Sequence, residues 1–208
     1  MRLSDEPLLD ALDRQRHVRL LYLRDGADAP IATARLAMPD GNHERVDHDN
    51  YFAWPGDFPS RRLCGEVSRV AVEPTRDRRG LMRAMVMGVG LDLLRHGRHY
   101  LVGSAAGSLL SYYAALGGRI IPIGYRHAEL GNLRHRAFIV DVRGVVSGRV
   151  RVRPLIWSTV IAPLCQQALA ERLLAVDGLY RARLRGLAIA GSIGGLAVLR
   201  AARLRSRS

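Results

Sequence analysis

Alternating apolar and polar residues predict strands in the first third of the chain. The segment 17–26, "HVRLLYLRDG", alternates and ends in a turn, and 30–41, "PIATARLAMPDG", alternates again before Pro-Asp-Gly. These two segments predict an antiparallel hairpin, and 63–72, "LCGEVSRVAV", predicts a third strand. Ahead of them, "DEPLLDALDRQ" at 5–15 has leucines at helical spacing and early acids, which predicts an opening helix.

Helical periodicity begins after the third strand. Apolar residues recur at three- and four-residue steps in 78–97, "RRGLMRAMVMGVGLDLLRHG", and 108–118, "SLLSYYAALGG", predicts a short helix closed by glycine. Further strands are predicted in "YLVGSA", "RIIPIGY" and "HRAFIVDV". Helices between core strands predict an α/β (α+β) domain, with a central mixed sheet flanked by helices.

The chain changes character near residue 150. The segment 153–178 predicts a helix that is kinked or broken at Pro163, and an apolar run, Gly186–Leu199, follows between arginines. As a helix this run spans about 21 Å, too short for a hydrocarbon core of about 30 Å. It fits either an anionic membrane interface or a hairpin packed on the domain. We therefore predict one α/β domain over 1–150 and a C-terminal helical, arginine-rich appendage over 151–208.

Charge narrows the choice of partners. The 208 residues carry a net charge of +13, every basic residue is arginine, and no acid follows Asp177. Such a chain favours acidic partners: nucleic acid, anionic lipid or an acidic carrier protein. Because aromatic residues are not clustered among the arginines and no reading helix is recognisable, we expect no nucleic-acid partner.

Other features of the composition limit which cofactors and which cellular location are expected. The seven histidines show no metal-ligand spacing, so no metal is expected. Cys64 and Cys165 are predicted to be reduced, buried hydrophobes. No uncharged apolar run reaches 18 residues and the N-terminus is charged, which predicts a cytoplasmic protein.

The third strand carries the candidate chemistry. Side chains alternate along a strand, so Glu66 and Ser68 share one face, and Arg69 joins them only if a β-bulge intervenes. A bulge also leaves a backbone N–H unpaired, and such a group can stabilise an oxyanion. A strand-edge ion pair between Glu66 and Arg69 is the alternative.

The exit of this strand predicts an anion site. A turn, Gly80 and a helix N-terminus point successive backbone N–H groups at one place, and Arg76, Arg78 and Arg79 surround it. A pyrophosphate or a phosphopantetheine phosphate suits this arrangement, and a solvated basic turn is the alternative.

These residues resemble a known superfamily. The strand, arginine-rich turn, glycine and helix are similar to the acyl-carrier-binding motif of the GNAT acyltransferases, and "SYYAALGG" resembles a later motif of theirs, with Tyr113 four residues before Gly117. "EVSR" joined to "RRGL" resembles the acyl-homoserine-lactone autoinducer synthases and the long-chain N-acyl amino acid synthases. "LGGRIIPIGYRHAELGNLRHRAFIVDV" and Arg35 favour the second branch. The resemblance covers residues 15 to 143.

The resemblance implies an N-acyltransferase that moves a long acyl chain from a thioester to the amine of an amino acid or similar small molecule. The donor is acyl-phosphopantetheine on acyl carrier protein, or acyl-CoA, and no cofactor is permanently bound. Glu66 is the implied base, Arg69 fixes the acceptor's carboxylate or orients Glu66, and Tyr113 protonates the thiolate or merely packs. Arg35 binds the acceptor or braces the long loop. The remaining implied contacts are Ser68 with substrate, and Val70, Val72, Arg78, Arg79, Gly80 and Leu81 with the donor.

Two alternatives remain open. The first is a GNAT N-acetyltransferase that uses acetyl-CoA or another acyl-CoA. Asp77 and Met82 argue against it, because they replace residues of the usual GNAT turn. A non-catalytic, membrane-associated carrier-binding protein is the second, and its binding would survive Glu66→Gln. If the protein associates with a membrane, whether as an enzyme or as a binding protein, we expect it to lie peripherally on the inner face.

Overall fold

Six strands form one sheet in the computed structural model, which describes residues 10–74, 77–127 and 132–174. The strands are β1 (Val18–Arg24), β2 (Pro30–Ala37), β3 (Cys64–Val72), β4 (Tyr100–Ala105), β5 (Arg119–His127) and β6 (Leu133–Asp141). Their order across the sheet is β1-β2-β3-β4-β6-β5. The central pair, β3 and β4, is parallel, and the other neighbours are antiparallel. The predicted hairpin and the mixed sheet are thus confirmed.

Helices link and follow the strands. They are α1 (Arg78–Arg95), α2 (Ser108–Ala115), α3 (Val142–Val146), α4 (Pro154–Ile156) and α5 (Ala162–Ala170), with short 3₁₀ helices at Asp47–Asn50 and Arg61–Leu63. A π-helical segment, Trp157–Ile161, joins α4 to α5. Pro163 lacks the N–H that would bond one turn back, so the helix widens just before it, where the sequence predicts a kink.

The main core lies on the helical face of the sheet. Alternate residues of β2, namely Ala32, Ala34 and Leu36, are buried there against helix side chains. Gly65 lets α1 approach β3 closely, because a β-carbon at this position would lie 2.3 Å from Leu93. The segment after residue 150 packs on the same core through Val160, Ile161, Leu164 and Cys165. The division into two domains at residue 150 stays a prediction.

The opposite face is covered by the long loop between β2 and β3. Phe52, Trp54 and Phe58 of this loop pack on a second cluster that includes Val102 and Ile139. The buried Arg98 anchors the start of the loop, donating to the carbonyl oxygen of Met38 at 2.9 Å. We call this side of the sheet the loop face.

The N-terminal prediction is wrong in the part that can be compared. Residues 10–17 form turns rather than the end of a helix. The Asp10 carboxylate accepts from the backbone N–H groups of Leu12 and Asp13 at 2.8 and 3.0 Å, and such local bonds compete with helix formation.

The C-terminal arginine-flanked run, Gly186–Leu199, lies outside the described residues, as does Arg76. Within the described ranges, no helix has the length and apolar character needed to cross a membrane.

Candidate active site

A β-bulge shapes the middle of β3. Arg35 of β2 pairs with Ser68 and Thr33 pairs with Ala71, so Ala34 alone faces two residues of β3, Arg69 and Val70. The φ angle of Arg69 is 50°, in the left-handed region. The bulge breaks the alternation, and this is the condition under which Glu66 and Arg69 can serve one site.

Glu66 is buried on the loop face and its carboxylate is fully engaged. The backbone N–H groups of Asp47 and His48 donate to its two oxygens at 3.0 and 3.1 Å. His48 Nδ1 lies 2.8 Å from Oε2, and both side chains are almost completely enclosed. With its Nδ1 proton directed at Glu66, the imidazole presents Nε2 as a proton acceptor. Glu66 and His48 therefore form an acid–base pair.

Arg35 is the hub of a buried ionic cluster. Its guanidinium is 1% exposed and lies 2.9, 3.2 and 2.8 Å from carboxylate oxygens of Asp10, Asp13 and Asp47. Its Nε donates to Ser68 Oγ at 2.9 Å. Through Asp47, Arg35 holds the long loop, as one of the two alternatives predicts. Through Asp10 and Asp13, it also holds the N-terminal turns. Substrate binding by Arg35 and Ser68 stays a prediction.

Arg69 borders the same cluster from the solvent side. Its side chain is half-exposed, with its guanidinium 2.6 Å from Asp10 Oδ2 and 3.5 Å from Asp13 Oδ2. Arg69 thus shares two carboxylates with Arg35, while Asp47 links Arg35 to the segment that binds Glu66. The cluster joins the predicted site residues indirectly, through acids that lie far away in sequence.

The loop segment over Glu66 is held by a second ion pair. Arg61 forms a two-pronged interaction with the Asp49 carboxylate, one bond being 2.8 Å, and its guanidinium lies 4.8 Å from the ring centroid of Trp54. Burial by itself would raise the pKa of Asp49, but the hydrogen bond and charge of Arg61 outweigh it and hold the pKa below its ordinary value.

Acid should therefore weaken the protein through Asp49. An unfolded aspartate titrates at about 3.9, so the stability that this pair contributes is present above that pH and is lost as pH falls through the lower folded pKa. We expect urea midpoints to fall less steeply between about pH 5 and about pH 3 in Asp49→Asn than in wild type. The exposed Asp28→Asn is the matched control, and equal slopes in all three proteins would contradict the prediction.

A gap opens in the sheet beside the bulge. The parallel register of β3 and β4 runs from Cys64 and Tyr100 to Val67 and Gly103, and the bulge follows directly on β3. On the loop face the next side chains are Ser68 and Ser104. Backbone groups of β3 beyond Val67 therefore border the gap between the two strands. An extended ligand in the gap can hydrogen-bond to this edge of β3.

An apolar cavity lies at this gap on the helical face. Its volume is about 10 Å³, which is about the smallest cavity that can hold one water molecule. Tyr113 lies in its wall, stacked on Phe138 at 3.8 Å between ring centroids, and burial raises the pKa of Tyr113. The residues lining the cavity are Val67, Val70, Met85, Val86, Val89, Leu101 and Tyr113.

The N-terminus of α1 carries the remaining predicted donor contacts. Arg78 and Arg79 are exposed in its first turn, followed by Gly80 and Leu81. The Asp77 carboxylate caps the helix by accepting from the Gly80 N–H at 3.2 Å. An incoming phosphate would have to share this N-terminus with Asp77 or displace its side chain.

Several residues at the site were missed from the sequence. His48 looks like one polar residue in a polar loop, and Asp10 and Asp13 look like surface positions of a helix. Tyr125 looks like the apolar end of a strand, yet its hydroxyl lies 2.7 Å from Ser104 Oγ and its ring stacks on Tyr51 at 4.0 Å. The signal that could have pointed to this part of the loop is the pair of acids, Asp47 and Asp49, two residues apart in a polar segment.

The fold is similar to that of solved structures whose sequences differ widely from this one. The sequence matches no protein-family model and no curated protein. Among solved structures, TofI in an apo form is similar with a TM-score of 0.53 and 16% identity, over 71% of this chain and 80% of that one. BjaI, a CoA-dependent acyl-homoserine lactone synthase solved with SAM and isopentyl-CoA, has a TM-score of 0.50 and 20% identity, over 88% and 81%.

FeeM, an N-acyl amino acid synthase from uncultured soil microbes, is also similar, with a TM-score of 0.48 and 18% identity over 64% of this chain and 78% of that one. The similarity to TofI and BjaI, at 16% and 20% identity, shows the fold.

Proposed function

We propose that the protein is an N-acyltransferase that moves an acyl group from a phosphopantetheine thioester to the amine of an amino acid or similar small molecule. The observation that carries the proposal is the gap between β3 and β4. It has a buried acid–base pair, Glu66 and His48, on the loop face and an apolar cavity on the helical face. A thioester lying in the gap would place its acyl chain in the cavity and its carbonyl carbon beside the acid–base pair.

The chemistry is aminolysis. The amine nitrogen attacks the carbonyl carbon, the carbon–sulfur bond breaks, and the product is an amide and a thiol. The acceptor must first lose its ammonium proton, and we assign its removal to His48 Nε2, with the imidazole oriented by Glu66. We assign the backbone N–H groups near Val70 and Val72 to the carbonyl oxygen and the pantetheine amides. Tyr113 stays the predicted donor of the thiolate's proton.

The acceptor approaches from the loop face. Arg69 is half-exposed there, and a substrate carboxylate could replace Asp10 as its partner. Such a carboxylate would bind the planar guanidinium with two parallel hydrogen bonds, as Asp and Glu do. This exchange supports an amino acid as acceptor.

The donor approaches along α1. Arg78 and Arg79 are exposed beside the helix N-terminus. Within the described residues, neither takes part in an ion pair. Acidic acyl carrier protein would suit this surface through its charge as well as its phosphate. Acyl-CoA has the phosphate as well but lacks the acidic protein surface, so it would make fewer contacts with these arginines.

Mass spectrometry tests the proposal. Purified protein is incubated with long-chain acyl carrier protein, acyl-CoA or acetyl-CoA, each with the twenty amino acids, and acylated amines are sought. An N-acyl amino acid from the carrier thioester supports the proposal and names the acceptor. Product from acetyl-CoA alone would point to an acetyltransferase, and carrier binding without any amide or free thiol would point to a non-catalytic binding protein.

Met85 should control the length of chain accepted. The cavity holds little as it stands, so a long chain must displace the flexible Met85 side chain, which lies in its wall. We expect Met85→Ala to raise the ratio of kcat/KM for long over short acyl thioesters about tenfold. Met87→Ala is the matched control, because Met87 packs on the core without lining the cavity. An unchanged ratio in Met85→Ala would place the acyl chain elsewhere.

A further inference from the structure

Tyr125 lies on the loop face of β5. Ile121 and Ile123, four and two residues before it, pack on the second cluster, and alternation puts Tyr125 on the same face. Between Ile120 and Gly124 the register of β5 with β6 shifts by two residues, which leaves the alternation of faces unchanged. The Tyr125 ring packs on this face against Tyr51.

The hydroxyl of Tyr125 reaches the rim of the gap. It lies 2.7 Å from Ser104 Oγ, and Ser104 is the first residue of β4 beyond the parallel register with β3. Ser104 is on the same face as Val102, as the second cluster shows, and this is also the face of Glu66. The Tyr125–Ser104 pair therefore borders the gap from the β4 side, as Glu66 and Ser68 border it from the β3 side.

Three further contacts place Tyr125 beside the acid–base pair. The His48 ring lies edge-on to the Tyr125 ring with 6.5 Å between centroids, and the Phe52 ring is 6.2 Å away. The carboxylates of Asp47 and Glu66 are close enough to act on the Tyr125 hydroxyl electrostatically. Tyr125 thus lies beside the Glu66–His48 pair on the loop face.

Two hydroxyl groups in mutual contact have a defined donor capacity. Ser104 and Tyr125 hold two hydroxyl protons between them, and their mutual hydrogen bond uses one. A hydroxyl group can donate as well as accept, so either group of the pair is chemically able to donate to an acceptor that a ligand brings. At the rim of the gap, the acceptor that a bound thioester brings is its carbonyl oxygen.

We propose that Tyr125, held by Ser104, donates a hydrogen bond to the carbonyl oxygen of the thioester and stabilises the oxyanion that forms when the amine attacks. This assignment rests on the proposed acyl transfer and adds a side-chain donor to the backbone N–H groups of β3. The role involves no proton transfer: the oxyanion collapses to the amide as the carbon–sulfur bond breaks. Donors that are fixed in place before the reaction stabilise such charge without reorganisation.

The ionisation of Tyr125 agrees with this role. Burial is the largest cause that raises the pKa of Tyr125 to about 12; the Ser104 hydrogen bond opposes it, and Tyr51, Asp47 and Glu66 add smaller raising effects. The hydroxyl therefore keeps its proton at neutral pH and remains a donor.

A vibrational measurement tests the assignment independently of turnover. Wild type and Tyr125→Phe are loaded with an acyl-pantetheine thioester labelled with ¹³C at the carbonyl, without any amine, and the isotope-edited infrared band of the carbonyl is recorded. A hydrogen bond to the oxygen lowers the stretching frequency. We expect a lower frequency on wild type than on Tyr125→Phe, and an intermediate frequency on Ser104→Ala.

Kinetics completes the test. Tyr125→Phe should lower kcat roughly 10²-fold with little change in KM, the usual cost of one oxyanion donor. Tyr22→Phe, at a half-exposed tyrosine of β1, is the control for tyrosine replacement and should match wild type. Thermal melting of each variant checks that it folds.

Each outcome has one meaning. Bound thioester with identical carbonyl bands in wild type and Tyr125→Phe overturns the assignment even if wild type makes product. A wild type that binds no thioester and makes no amide overturns the proposed function itself. A lower frequency in wild type together with the selective loss of kcat supports both.

Discussion

Glu66→Gln is expected to reduce amide formation about 10³-fold, within the range usual for loss of an acid–base group. The glutamate carboxylate accepts from two backbone N–H groups and fixes the His48 imidazole at 2.8 Å. A glutamine has one carbonyl oxygen and an NH₂ group, so it cannot accept all of these hydrogen bonds. His48 then loses the partner that turns Nε2 toward the acceptor amine.

Turnover with saturating thioester and amine measures this effect, and Glu73→Gln serves as the matched control. Glu73 follows the same strand but is exposed, so its variant should retain wild-type turnover. Thioester binding should survive in Glu66→Gln, because the donor contacts lie on β3 and α1. Full activity in a folded Glu66→Gln variant would remove the acid–base pair from the mechanism.

Arg35→Met is expected to cost about 3–5 kcal/mol of unfolding free energy, the usual result of removing one partner from a buried ion pair. The guanidinium is enclosed and lies against three carboxylates, of which the Asp13 side chain is only 2% exposed. Methionine fills most of the space but leaves these charges without their central cation. The N-terminal turns and the segment Asp47–Asn50 should both loosen.

Urea unfolding measures this loss, with Arg24→Met as the control. Arg24 pairs with Asp28 at the surface, where both side chains are at least half-exposed, so its replacement should change stability by less than about 0.5 kcal/mol. If Arg35→Met were no less stable than Arg24→Met, the ionic cluster would not be what holds the loop over Glu66.

Much of the sheet could be predicted because local pattern determined it. Alternation located β1, β2 and β3, and the proline and glycine turns between them marked the hairpin. The acid and base three residues apart in "EVSR" left two interpretations open, a bulge or a strand-edge ion pair, and the structure has the bulge. The basic turn before Gly80 likewise follows from neighbours in sequence.

The residues that escaped prediction depend on tertiary contacts. Leucine spacing predicted a helix at 5–15, but Asp10 bonds its own backbone neighbours and the buried Arg35 draws Asp10 and Asp13 toward it. His48 acquires its role because the loop folds back 18 residues onto Glu66. Tyr125 joins the site because the loop packs Tyr51 and His48 against its ring. None of these contacts leaves a periodic signal.

The central claim is that an acyl thioester lies in the gap between β3 and β4, with its chain on the helical face and its carbonyl toward Glu66. A crystal structure with a non-reactive acyl-pantetheine thioether tests it most directly. The account predicts the pantetheine arm along β3 beyond Val67, the alkyl chain in an enlarged cavity beside Met85 and Tyr113, and the reacting position within reach of the Glu66–His48 pair. A ligand bound at another edge of the sheet, with the gap between Val67 and Gly103 closed, would contradict it.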